Sequence, residues 1–163
     1  VNRQEVLIYE TADLAIDVSG ADVTIENMSA ETPTGGAGGG NNVITTTGAR
    51  TVFINVEVKD SDASGFYINA TNSRLWGCIV SDADNIGILV GGSLSMVTDC
   101  RIYATAGLEV NINGSGDGFL VGDCYIAGDV TIDAGGDNGI IDGSNVTGTL
   151  TDNGTGNTTG DIE

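Results

Sequence analysis

Leu75-Trp76-Gly77-Cys78-Ile79-Val80 is followed 22 residues later by Val97-Thr98-Asp99-Cys100-Arg101-Ile102, and 24 residues after that by Val121-Gly122-Asp123-Cys124-Tyr125-Ile126. All three read apolar, variable, Asn/Gly/Asp, apolar or small, variable, apolar or small. Upstream, Phe53-Ile54-Asn55-Val56-Glu57-Val58 and Ile25-Glu26-Asn27-Met28-Ser29-Ala30 fit the same template, and downstream so does Ile141-Asp142-Gly143-Ser144-Asn145-Val146. From Met28 through Val56, Cys78, Cys100 and Cys124 to Ser144 the steps are 28, 22, 22, 24 and 20 residues. A repeat near this length is one coil of a solenoid, in which each unit buries its apolar face only against its neighbours.

Asn27, Asn55, Gly77, Asp99, Asp123 and Gly143 interrupt the alternation between two inward residues. They belong to the residue types that enter the left-handed backbone region most cheaply, so a sharp bend is expected there. Each coil supplies a further strand, aligned here on Leu14, Val43, Phe66, Ile86, Leu108, Val130 and Leu150. The second inward residues of that strand are Ile16, Thr45, Ile68, Ile88, Val110, Ile132 and Asp152. Alternation with period two marks strands with one face buried. Val6 and Ile8 stand where an additional first coil places its Cys-position residue and that residue's partner. The reading is an all-β chain, a right-handed parallel β-helix of about seven coils. At about 4.8 Å per coil the rod is roughly 30 Å long.

This pattern resembles the right-handed parallel β-helix family that includes pectate lyases, polygalacturonases and phage tailspikes. The resemblance runs from Val6 to Leu150 and rests on core and bend positions; no catalytic motif of the family accompanies it. It implies the fold far more strongly than a function.

Composition agrees with a turn-rich β chain. Among 163 residues there are 26 Gly and a single Pro, yet 40 % are hydrophobic, so a core is available. One β-helix domain is expected over residues 1–150, with 151–163 as a polar end piece or linker. The stretch from Glu31 to Asn42, rich in Gly, reads as a loop leaving one corner of the second coil. A formal charge of −18, from 23 acidic and 5 basic residues, repels a phosphate backbone, so nucleic acid is not an expected partner. Nor is membrane insertion, since no apolar run approaches the roughly 20 residues of a spanning helix.

The three Cys share one template position in successive coils and read as an inward thiol ladder rather than as metal ligands or a disulfide framework. Asp60 and Asp82 lie four residues after Val56 and Cys78, and Asp62 and Asp84 lie six after, so both pairs are expected at one corner. Aspartate is a good turn residue in its own right. Four clustered carboxylates are also candidate calcium ligands, and Asp60 with Asp82 a candidate acid and base for glycoside cleavage. Lys59 and Arg101 are near enough to hold an acidic sugar. Among outward aromatic and apolar residues, Trp76, with Ile54 and Ile79 beside it, is the expected centre of a patch that includes Tyr103 and Tyr125, with Tyr67 and Leu89 on the other strand.

The function expected is a non-catalytic structural or binding module of a virus spike or fibre, or of a cell surface, assembled as a homotrimer and contacting a surface glycan. The rival readings are a polysaccharide hydrolase or lyase using the Asp corner, and a calcium-dependent adhesin domain. The location implied is the virion or the extracellular surface.

Overall fold

The computed structural model describes residues 6–9, 16–31, 42–61, 63–103, 106–113 and 115–162. Its three sheets are parallel throughout, seven strands each, and successive strands of the chain pass from one sheet to the next. The first sheet contains Val6–Tyr9, Met28–Glu31, Glu57–Ser61, Ile79–Ala83, Arg101–Tyr103, Tyr125–Ile126 and Asn145–Val146. In the second lie Ile16–Val18, Ile44–Thr46, Ser64–Ile68, Ile86–Val90, Leu108–Ile112, Val130–Ile132 and Leu150–Asp152. The third is built from Thr24–Glu26, Val52–Ile54, Arg74–Trp76, Met96–Thr98, Leu120–Gly122, Ile140–Asp142 and Thr158–Thr159. The chain is therefore a parallel β-solenoid. Among the described strands, five rungs of each sheet are paired on both sides and the two end rungs on one side only.

The six-residue template straddles a corner, and so it contains the end of a third-sheet strand and the start of a first-sheet strand. All six bend residues are left-handed, with φ of 54° at Asn27, 52° at Asn55, 64° at Gly77, 55° at Asp99, 52° at Asp123 and 61° at Gly143. A single residue in that conformation turns the chain while both neighbours stay inward, which is why Asn, Asp and Gly recur there. The side-chain Nδ2 of Asn55 also donates to Asn27 Oδ1 at 3.3 Å, one coil stacking on the next.

A second left-handed column marks the corner between the second and third sheets: Asp22, Arg50, Asn72, Leu94, Gly118, Asn138 and Gly156. Sequence inspection missed it because Arg and Leu disguise the Asn/Asp/Gly pattern. At its start Arg50 grips Asp22 one coil away through Nε (2.5 Å) and Nη2 (2.7 Å). Hydrogen bonding to that guanidinium holds the Asp22 carboxyl below the usual range. Leu94 has φ 57° and is 54 % exposed, so it bears the steric cost of the left-handed region with little burial in return. Leu94→Asn, the residue found one coil earlier at Asn72, is expected to stabilise the fold by about 1 kcal/mol. A denaturant midpoint that falls on this substitution would count against the account.

Inside the rod, like residues stack. The second sheet aligns Ile44, Phe66, Ile88, Val110 and Val130 in register, all fully buried. The first sheet does the same with Val58, Val80, Ile102 and Ile126. Phe66 meets Phe53 of the third sheet edge to face, ring centroids 5.4 Å apart. Cys78, Cys100 and Cys124 are free and buried in one column, the expected thiol ladder. Hydrogen bonding with Cys124 and Cys78, together with burial, pushes the Cys100 thiol well above its usual range, so it packs as a neutral group. Val6 pairs with Met28 and Ile8 with Ala30, as the extra first coil requires.

The second-strand alignment needs correction in four coils. Ile16 pairs with Ile44, which in turn pairs with Phe66, so Ile16 holds the first inward place and Val18 the second. In the second coil the inward pair is Ile44 and Thr46, one residue later than expected, because Val43 and Ile44 are both fully buried and break the alternation. Ile86 and Leu108 align with Ser64, which leaves Ile88/Val90 and Val110/Ile112 inward. A two-residue slip keeps every side chain on its face, so a period-two pattern is blind to it.

Beyond Leu150–Asp152, Thr158 and Thr159 pair with Ile140 and Ile141, Ile162 bridges to Ser144, and its side chain packs against the core. The polar end piece thus winds on as a further strand. Residues 32–41, which hold most of the Gly-rich insertion, lie outside the described residues.

Candidate interaction face

On a third-sheet strand the outer two residues of three point away from the core. Register sets them in two columns: Thr24, Val52, Arg74, Met96, Leu120, Ile140 and Thr158 in one, Glu26, Ile54, Trp76, Thr98, Gly122 and Asp142 in the other. The middle five rungs carry Val52, Ile54, Trp76, Met96, Leu120 and Ile140, an apolar stripe along the rod. Trp76 is 55 % exposed and Ile140 44 % exposed. The indole N–H of Trp76 donates to Asp99 Oδ2 at 2.7 Å, which fixes the ring at the corner. Val52, Arg74, Trp76, Met96 and Thr98 line an open groove of about 250 Å³. Arg74 makes no ion pair among the described residues, although the chain is strongly acidic.

The outward residues singled out from sequence divide among the three faces. Trp76 and Ile54 are register partners on the third sheet. Ile79 does not join them, because the left-handed bend at Gly77 turns it onto the first sheet. There Ile79, Arg101 and Tyr125 form one column and Lys59, Ser81 and Tyr103 the next. Tyr103 and Tyr125 are 40 % and 44 % exposed, and Lys59 is bridged to Glu57 at 3.0 Å. Tyr67 and Leu89 pair on the second sheet. The expected single patch is therefore two groups, Trp76 on one side of a corner and Arg101, Tyr103, Tyr125 and Lys59 on the other. No family model and no curated protein matches the chain.

Arg74, Met96, Leu120 and Ile140 were missed from sequence. Each stands immediately before the first inward residue of the template, where a single apolar or charged residue looks like a ragged strand start. Only registration of successive coils shows that they line up.

At the corner between the first and second sheets, Asp60 and Asp82 lie between the register pairs Lys59 with Ser81 and Ser61 with Ala83, so they are neighbours on adjacent coils as expected. Both are left-handed, φ 49° and 56°, which accounts for aspartate at a bend. The amide of Asp84 donates to Ser61 O at 2.7 Å, and Asp62 lies outside the described residues. Among the described residues no three His, Cys, Asp or Glu side chains converge as a metal site would require.

Proposed function

We propose that this chain is a structural module of a spike or fibre, of the tailspike-like and pectate-lyase-like class of β-helices, and that it acts by lying side by side with copies of itself rather than by catalysis. The observation that carries this reading is the apolar stripe on the third sheet. Soluble monomers rarely expose contiguous apolar surface along a whole element, and such surface marks interfaces. Met and aromatic residues, with an arginine set among them, are the composition enriched in interface cores. Three rods around an axis parallel to their length make the homotrimer that the proposal favours, placed on a virion or a cell surface. The first-sheet group of Arg101, Tyr103, Tyr125 and Lys59 stays outside that contact, and its two tyrosines beside a guanidinium suit a surface glycan.

The test is solution mass by light scattering coupled to size exclusion over a range of protein concentrations. A mass three times that of the chain is expected. Since each copy carries −18, added salt should strengthen the assembly by screening its self-repulsion. A monomer at every concentration and salt level sinks the proposal.

A further inference from the structure

Resting on the proposal that copies assemble through the third sheet, we infer that they do so parallel and in register, with Arg74 of each copy seated on Trp76 of its neighbour and Leu120 seated over the neighbour's Gly122.

The inference follows from how the two outward columns differ. A rotation about an axis parallel to the rod keeps every rung at its own height and brings the first column of one copy against the second column of the next. That holds for a pair, and equally for a ring of three. The facing partners then become Val52 with Ile54, Arg74 with Trp76, Met96 with Thr98, Leu120 with Gly122 and Ile140 with Asp142. Four of these five rungs are complementary, each in a different way. Val52 and Ile54 are both apolar. Arg74 brings the cation without an ion pair, and Trp76 brings an indole already oriented by Asp99, the pairing in which a guanidinium is attracted to an aromatic face. Met96 and Leu120, the larger members of their rungs, meet Thr98 and Gly122, the smaller. Ile140 meets Asp142, whose Oδ1 is already turned toward the amides of Gly143 and Asp161 at 3.0 and 3.2 Å.

A rotation about an axis across the rod does something different. It reverses the order of rungs and sets each column against itself. With rung three brought to rung six, Arg74 faces Ile140 and Trp76 faces Asp142, so the cation and the indole lose each other. With rung three brought to rung five, Leu120 meets Arg74 and Gly122 meets Trp76. The unpaired cation is thus matched to the indole in the parallel arrangement alone. Arg74 occupies one column and Trp76 the other on the same strand, so each contact is made twice across a pair and three times around a ring.

Gly122 supplies a probe that spares the fold. A Cβ built on it meets nothing nearer than 3.7 Å, at Asp142 O, with Leu120 Cδ1 and Thr98 Cγ2 at 3.8 Å. A Cβ there makes only ordinary contacts within the monomer, and the rest of a leucine side chain would extend outward into the space that Leu120 of the neighbour needs. The full-length chain is therefore compared with Gly122→Leu, with Arg74→Gln, and with the exchanged pair Arg74→Trp, Trp76→Arg, using light scattering for mass and circular dichroism for fold. Expected is a loss of assembly of at least tenfold in concentration for Gly122→Leu and for Arg74→Gln at unchanged β signal, and recovery in the exchanged pair, because exchange restores the same facing partners. The single Trp of the chain gives an independent readout in the unmutated protein: its emission should shift to the red on dilution through the dissociation range. An assembly whose mass ignores Gly122→Leu and Arg74→Gln, with Trp emission constant on dilution, overturns this contact while leaving self-association standing. A chain that is monomeric throughout removes both. Weakening by Gly122→Leu and Arg74→Gln without recovery in the exchanged pair rejects the parallel register.

Discussion

Gly92→Ala is expected to cost at least the upper end of the ~1–3 kcal/mol typical of overpacking. Gly92 is buried at the corner between the second and third sheets, and a Cβ built on it falls 2.0 Å from Ala70 O and 2.6 Å from Ala70 N, one coil below. No rotamer relieves this, since the obstacle is backbone. That backbone is held as well: the Gly92 amide donates to Ile68 O at 2.9 Å, and Ala70 O accepts from Ser95 Oγ at 3.1 Å. Relief requires prising two coils apart along a ladder whose spacing is set by main-chain hydrogen bonds. Against a total stability of roughly 5–15 kcal/mol for a domain, this is a large fraction. In a solenoid each coil touches only its neighbours, so the damage falls on one inter-coil junction and unfolding should also become less cooperative. Urea unfolding followed by circular dichroism checks both effects, and a midpoint equal to that of the unmodified chain refutes the steric account.

Phe66→Ala should be comparably severe, about 3–5 kcal/mol, the usual range for emptying a buried aromatic site. Phe66 is fully buried, sits in register between Ile44 and Ile88, and lies with its ring centroid 5.4 Å from that of Phe53. It therefore joins three coils along the rod and two sheets across it. Its removal loses the transferred area, the edge-to-face contact, and the packing of both stacked neighbours, and the hydrogen-bonded coil cannot collapse to refill the space. A measured loss under about 1 kcal/mol would mean that the core closes over this position far more easily than close packing allows.

The candidate face was legible only in part. Trp76 and Ile54 stood out as exposed apolar residues, but the stripe they belong to includes Arg74, Met96, Leu120 and Ile140, which no single coil distinguishes. Grouping Trp76 with Tyr103 and Tyr125 failed at the corner. One left-handed residue at Gly77 sends the chain onto another face, and sequence distance carries no sign of that angle. The aspartate corner was placed correctly for Asp60 and Asp82, because both follow the Cys-position residue by the same number of residues.

By itself the sequence determined the coil, its period and the corner between the third and first sheets. Those properties depend on local chemistry repeated six times: alternation for the strands, and Asn, Asp or Gly where φ must be positive. It also determined the thiol column, since Cys78, Cys100 and Cys124 hold the same template position in successive coils, at steps of 22 and 24 residues. What only the tertiary structure decided was the registration of the second strand, the second left-handed corner occupied by Arg50 and Leu94, and the alignment of outward residues into columns. The reason is physical. Sliding a strand by two residues costs the local pattern nothing, and the choice is made by main-chain hydrogen bonds between coils more than twenty residues apart. The outward columns, and the face they form, exist only once those bonds are made.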